Sequence, residues 1–305
     1  MTETDAAAPR RPAAARRKVD APIRKALFYS ALYGAYGVRR LFGRAYVVVS
    51  PAPPTRMYAL FKVARAAGVE LVGEGNADDA ARRYGGPPVA TIRHADLTWD
   101  GPVRPDMING ACTDISKTRV DEIFESVFGY ATRLDPRTHK GRAVVKSEIN
   151  YGGGGRFVDL PIPVDEIEEA CIYQKLVDNE VSPGVVKEFR VAIIGREIAD
   201  VVEATRRIDR RLSGRGSGGG LSTREVAAEE AFTDSERADV LEFCKRLGLE
   251  FGELDILPDI QEGRIYVLDA NKTPTFVTER AAFRLNRLTM TFRRAASFRR
   301  FLASR

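Results

Sequence analysis

A chain of 305 residues, 44% hydrophobic and 30% charged, is long enough for roughly two domains and has the composition of an ordinary soluble globular protein. Its formal net charge of +6 suits nucleic acid, an anionic membrane surface or acidic small molecules as partners. Three cysteines, Cys112, Cys171 and Cys244, are odd in number and far apart, which excludes a disulfide framework or a metal knuckle and fits a reducing, cytoplasmic setting.

Much of the basic excess sits at the two ends, in RRPAAARRK (residues 10–18) and RRAASFRRFLASR (residues 293–305). Both read as solvated tails. No basic-aromatic signature of a nucleic-acid module lies between them, so no nucleic-acid partner is expected. Residues 1–20 lack both a hydrophobic pattern and the apolar stretch of a secretion signal, and are expected to be a disordered basic tail. A helix is predicted over residues 21–44, where apolar positions from Ile23 onward recur at helical spacing between Arg24, Lys25, Arg39 and Arg40. Its apolar part is too short to cross a bilayer, so docking on the protein's own core is expected. Peripheral membrane contact or a partner helix through residues 23–43 is the alternative.

Residues 45–113 read as a small open α/β domain. Strand signals at 44–50, 69–74 and 88–93 alternate with helical stretches at 55–68 and 77–85. The next helix, over 114–129, gathers Ile115, Val120, Ile123, Phe124, Val127 and Phe128 on one face and stops at Gly129. From residue 141 the chain turns β-rich, is interrupted by a helix over 234–248, and closes with two strands in FGELDILPD and GRIYVLDANKTP. A second unit is therefore expected over 114–292, in a mixed α/β (α+β) architecture.

Within VVKSEINYGGGGR (residues 144–156), four glycines, Gly152, Gly153, Gly154 and Gly155, follow Lys146 and are flanked by strand-like residues. No helix follows, so the stretch is neither a P-loop nor a dinucleotide fingerprint. Backbone amides freed by glycine line anions well and Lys146 supplies charge; a plain hairpin turn is the competing reading. Residues two apart on a strand share a face, so Asp269 and Asn271 present oxygens to one point, and Asp255 joins from the neighbouring strand. Three hard oxygen ligands suit Mg²⁺ better than zinc, unless they are only strand-end turn formers. Between these elements, CIYQKLVDNE (residues 171–180) suits an adenine edge, with Asp178 or Glu180 for ribose hydroxyls, and Lys187 and Arg190 start a strand that suits phosphate. Neither His94 nor His139 belongs to a nucleophile or base pattern.

In this order, a helix lysine, a strand lysine with its glycine loop, a hinge strand with an acid, a strand arginine and acids at two strand ends, the chain resembles the ATP-grasp superfamily over residues 114–275. The preceding small domain resembles the one found before this module in carboxylate-amine ligases. The resemblance implies ATP and Mg²⁺ as cofactors, with Lys117 and Lys146 on the nucleotide phosphates under Gly152 to Gly155. It implies that Gln174, Lys175, Leu176 and Val177 read adenine, that Glu180 or Asp178 holds ribose, and that Arg190 stands near the transferred phosphate. Asp255, Asp269 and Asn271 match the Mg²⁺ ligands. The sequence departs from the pattern in using Asp269 where glutamate is more usual and in following Pro274 with Thr275 instead of glycine. A second glycine-rich stretch, RRLSGRGSGGGLSTRE (residues 210–225), matches a mobile loop over the active site. With Arg206, Arg207, Arg210 and Arg215 it suggests an acidic substrate, and Arg206 is counted with Lys146 and Arg190 among the catalytic candidates.

The implied activity is ATP-dependent joining of a small-molecule carboxylate to an amine through an acyl phosphate. A kinase acting on a hydroxyl with the same scaffold, and a non-catalytic protein that binds polyanions or membranes, are the alternatives.

Overall fold

The computed structural model describes residues 13–41, 43–150, 154–212, 220–275 and 285–305, with side chains from residue 22 in the first helix and from residue 287 in the last. Helix α1 (Ala13–Arg40) begins inside the stretch expected to be a disordered tail. Alanine, arginine and lysine are strong helix formers, and a run of them extends the helix N-terminally without needing apolar residues. Residues 1–12 lie outside the described residues.

A three-stranded parallel sheet in the order β2-β1-β3 forms the first unit, from β1 (Ala45–Ser50), β2 (Val69–Gly73) and β3 (Ala90–Arg93). Helices α2 (Ala59–Ala67) and α3 (Ala77–Tyr84) make the crossovers, and both end on a glycine in the left-handed conformation, Gly68 and Gly85. Parallel strands require such crossovers, and glycine stops each helix without steric cost.

Helix α4 (Lys117–Phe128) opens the second unit, capped by Ser116, whose hydroxyl accepts from the Arg119 amide. A three-stranded antiparallel sheet follows, order β5-β4-β6, from β4 (Gly141–Ser147), β5 (Arg156–Leu160) and β6 (Cys171–Lys175). The large antiparallel sheet runs β10-β9-β8-β11-β12, with β7 (Glu180–Ser182) paired to the edge of β8 (Val185–Ile194). Its other members are β9 (Glu197–Arg207), β10 (Gly220–Val226), β11 (Phe251–Asp259) and β12 (Arg264–Asn271). The short α5 (Ala228–Ala231) leads into α6 (Asp234–Leu247), which starts on a capping box of Thr233 and Glu236.

Side-chain alternation divides the large sheet between two cores. Phe189, Val191 and Ile193 of β8 point into a cluster with Phe124 of α4 and Val240, Phe243 and Leu247 of α6. Ala192 and Ile194, on the opposite face, join Phe28, Leu60, Val47, Ile92 and Phe298 in a second core that continues into the first unit. Further along that same face, Glu188 and Arg190 are left without apolar cover and form part of a cleft wall.

The last helix, α7 (Leu285–Ala303), corrects the expectation of a solvated C-terminal tail over 293–305. Met290, Ala295 and Phe298 are buried, and the Arg294 guanidinium forms a buried two-pronged ion pair with Asp200 of β9. The arginines made this segment read as surface, yet Phe298 and its apolar neighbours pack on α2 and the large sheet.

Candidate active site

Between the small sheet and the open end of the large sheet lies a cleft of about 510 Å³. Strand alternation sets its small-sheet wall: Ala143, Val145 and Tyr173 turn into that sheet's own core, so Val144, Lys146 and Gln174 face the cleft. The β4–β5 connection carries the glycine run, confirming a strand-loop-strand: Val145 pairs with Arg156 across an antiparallel ladder. Gly152 and Gly153 lie outside the described residues, whereas Gly154 and Gly155 line the cleft. A Cβ on Gly155 would sit 3.0 Å from the Val145 carbonyl oxygen and 3.1 Å from Lys146 Cγ, so any side chain there would push the loop off the strand by a few tenths of an ångström.

Lys117 reaches the cleft from the first turn of α4. Its Nζ donates to Asn150 Oδ1 at 3.2 Å and lies 3.9 Å from Asp269 Oδ1. Asn150 also donates to the Ala270 carbonyl at 3.3 Å, and its amide donates to Thr98 Oγ1 at 2.9 Å. The Asn150 side chain therefore ties the glycine loop to α4 and β12, and its backbone amide ties it to the first unit. The N-terminus of α4 holds the loop a second time, since the Thr118 amide and hydroxyl both donate to Glu148 at 3.0 and 2.5 Å. Burial holds Lys146 below the usual lysine range, with the nearby Asp269 carboxylate opposing that effect and Lys117 adding to it.

On the facing wall Asp255 and Asp269 are directly paired across β11 and β12, and Asn271 pairs with Glu253 two residues on. Asp255, Asp269 and Asn271 line the cleft. Arg190 sits opposite Asp255 in the β8–β11 ladder, its guanidinium 2.9 Å from Glu188 Oε1, 3.6 Å from Glu253 Oε1 and 3.9 Å from Asp255 Oδ2. The Asp255 charge, working against burial and aided by Glu188 and Glu253, raises the Arg190 pKa further and keeps it charged. Arg206 shares Glu188 at 2.6 Å. Glu188, Glu253 and Asn150 were not picked out by sequence reasoning. Strand periodicity places Glu188 beside Arg190 and Glu253 beside Asp255, and that signal was available; Asn150 gave none.

Two carboxylates and an amide on one face fit a hard divalent cation that takes its remaining oxygens from phosphate and water. Among the described residues no group of three Asp, Glu, His or Cys side chains forms a metal cage by itself. Asn271 Oδ1 already accepts from the Thr273 amide at 2.9 Å, which fixes its orientation.

The adenine-side expectations divide. Gln174, Lys175, Leu176 and Val177 all line the cleft, along with Leu257 and Leu268, which give it an apolar patch the sequence reading did not name. The Lys175 ammonium itself turns to Glu262, Tyr266 and Asp259; burial opposes its charge, but these bonds raise its pKa overall. Gln174 Nε2 donates to Thr132 Oγ1 at 2.9 Å, while its buried Oε1 meets no donor among the described residues. Neither Asp178 nor Glu180 lines the cleft. Glu180 Oε1 instead accepts from the Gly184 amide at 2.7 Å, closing the β7–β8 turn, and Asp178 Oδ1 accepts from the Glu180 amide. Asn179, between them, lines the cleft, and its Oδ1 accepts from Arg211 at 2.8 Å. Arg211 also donates to the Val177 carbonyl at 2.7 Å, and burial lowers its pKa against the pull of Asp178 and Glu180.

Of the arginines expected around the second glycine-rich stretch, Arg206 faces the cleft from β9. Arg207 and Arg210 are exposed beside Asp209, and Arg215 lies outside the described residues together with the rest of 213–219. His94 is buried edge-on to Tyr58, and burial lowers its pKa to about 4.

A small parallel domain, a three-stranded sheet, and a five-strand path with a cleft between the two sheets define the ATP-grasp fold, as the sequence order suggested. The solved structure of the ATP-grasp ligase PsnB complexed with a minimal precursor superposes with a TM-score of 0.51 at 14% identity, covering 82% of this chain and 98% of that one. PsnB with a phosphomimetic precursor variant, Mg and ADP gives 0.50 at 14% identity, covering 83% and 98%. No protein-family model and no curated protein matches the sequence.

Proposed function

We propose that the protein is an ATP- and Mg²⁺-dependent ligase that activates a substrate carboxylate as an acyl phosphate and joins it to an amine. The observation that carries this reading is the cleft's arrangement of charge: Lys146 on the small-sheet wall, Lys117 beside Asp269 and Arg190 beside Asp255 line one cleft of about 510 Å³ together with Asp255, Asp269 and Asn271. Adenine would lie against Leu257, Leu268 and the 174–177 segment, with the triphosphate directed toward Lys146 and Arg190. Mg²⁺ on Asp255, Asp269 and Asn271 would supply charge neutralisation at the transferring phosphate. Lys146 and Arg190 stabilise charge developing on the γ-phosphoryl group as the carboxylate attacks, and the β4–β5 glycine loop shields the product from water. An amine then attacks the acyl carbon, phosphate leaves, and an amide remains.

Arg206, at the cleft edge, suits an anionic substrate. PsnB was solved with a minimal precursor, so a carboxylate on such a precursor stands beside small acidic molecules among the substrates to test. Calorimetric titration of ATP with and without Mg²⁺ tests the nucleotide site; the expected result is Mg²⁺-dependent binding at one site. Supplied with candidate carboxylates and amines, a ligase releases ADP and free phosphate, whereas phosphate retained on the product would make it a kinase. Absence of nucleotide binding in both conditions would overturn the proposal.

A further inference from the structure

Helix α1 docks on the first unit through Phe28 and Leu32, both buried against α2 and its neighbours. Positions 23, 27, 30, 34, 38 and 41 recur at three- and four-residue spacing and share the opposite face. None of them is charged. Ile23 is 57% exposed, Leu27 65%, Val38 58% and Leu41, just beyond the helix, 81%. A Cβ added to Gly34 or Gly37 would meet nothing within 4 Å, so no described part of the chain covers this side of the helix. Soluble helices normally put their charges on the outward face, and here that face carries Ile23, Leu27, Val38 and Leu41 with Ser30 as its one polar side chain.

Charge lies along the borders and at the N-terminal end. Residues 10–25 hold seven Lys or Arg against one acid, Asp20. At the other end Arg44 is exposed, and the exposed Arg56 stacks over the rings of Tyr29 and Tyr33 at 5.8 and 5.9 Å. No helix of the described residues is long and apolar enough to cross a membrane. A second copy of the chain seated on this face would set basic helix ends against basic helix ends, because residues 21–44 hold Arg24, Lys25, Arg39, Arg40 and Arg44 and no acid to offset them. An anionic lipid surface accepts both features, since its headgroups neutralise the basic segment while four aliphatic side chains enter the acyl boundary.

We propose that the outward face of α1 docks the protein on an anionic membrane surface, with the helix lying in the interface. The proposal is independent of the nucleotide chemistry. The test is co-sedimentation of the full-length protein with extruded vesicles, either phosphatidylcholine alone or phosphatidylcholine mixed with phosphatidylglycerol, at low and high salt. The protein should sediment with the phosphatidylglycerol vesicles at low salt, and several-fold less with phosphatidylcholine alone or at high salt. Leu27→Gln combined with Val38→Gln should reduce sedimentation several-fold while leaving the thermal midpoint unchanged, because both side chains are exposed. Failure of the parent to sediment with phosphatidylglycerol vesicles, or equal sedimentation of the double variant, overturns the proposal. It is overturned equally by a dimer in sedimentation velocity that the double variant dissociates, which would assign the face to a second copy.

Discussion

Replacing Lys146 by methionine isolates what its ammonium group does, because the apolar stem packed under Gly155 is kept. Burial disfavours the charged form of Lys146 and Lys117 adds to the penalty, with Asp269 in opposition. Removing the charge should therefore leave folding stability unchanged or slightly improved, as expected when a desolvated cation gives way to an apolar isostere. The nucleotide complex should behave in the opposite way. A hydrogen bond to a charged group contributes about 1.5–3 kcal/mol, so Mg-ATP should bind roughly 10- to 150-fold more weakly. Calorimetry of parent and Lys146→Met, with thermal unfolding of both, measures the two effects separately. A dissociation constant within about threefold of the parent would refute a phosphate role for Lys146. A fall of several degrees in the thermal midpoint would instead make the lysine a structural element.

Asp269→Asn keeps the side-chain shape and removes one carboxylate from the cleft, so nucleotide binding should lose most of its Mg²⁺ dependence, read from paired titrations with and without the metal. Arg294→Met leaves Asp200 buried without its guanidinium. The loss should be about 3–5 kcal/mol, or roughly 5–8 °C in thermal midpoint, with Asp200→Asn in the same chain restoring much of it. His94 predicts a pH effect. Its folded pKa of about 4 lies below the ordinary 6.5, so below pH 6.5 the unfolded chain binds a proton that the folded one refuses. Stability should fall by up to about 3 kcal/mol as pH drops through that window, and His94→Phe should flatten the slope in urea titrations.

Where local rules decide structure, the sequence was readable. Helix stops at Gly68, Gly129 and Gly248, the hairpin around the glycine run, and the shared face of Asp269 and Asn271 all follow from φ preferences and two-residue alternation. What was not readable depends on partners distant in the chain. Arg294 looks like a surface residue until Asp200, 94 positions away, is brought beside it. Asn150 looks like a loop residue until α4 and β12 converge on it. The carboxylates of Asp178 and Glu180 serve their own turn, a local use that competes with any ligand.

The cleft lining carries six cationic side chains, Lys117, Lys146, Lys175, Arg190, Arg206 and Arg211, against the carboxylates of Glu188, Asp255 and Asp269. Two of those cations stand beside the two candidate metal carboxylates: Lys117 is 3.9 Å from Asp269 and Arg190 is 3.9 Å from Asp255. These ammonium and guanidinium groups offset the repulsion that a cross-strand acid pair would otherwise create. A divalent ion arriving alone must compete with them and meets only two carboxylates and an amide already oriented by Thr273. A nucleotide alters that balance, because its phosphates draw Lys117 and Arg190 while supplying the oxygens the metal still needs. Metal and nucleotide should therefore bind as a unit, with Mg²⁺ titrated alone giving no saturable heat at millimolar concentration and full binding restored by ADP. Lys117→Met should shift the balance toward metal-first binding. Tight saturable Mg²⁺ binding to the parent without nucleotide would show that these cations do not hold the acids, and that the site is preformed for the metal.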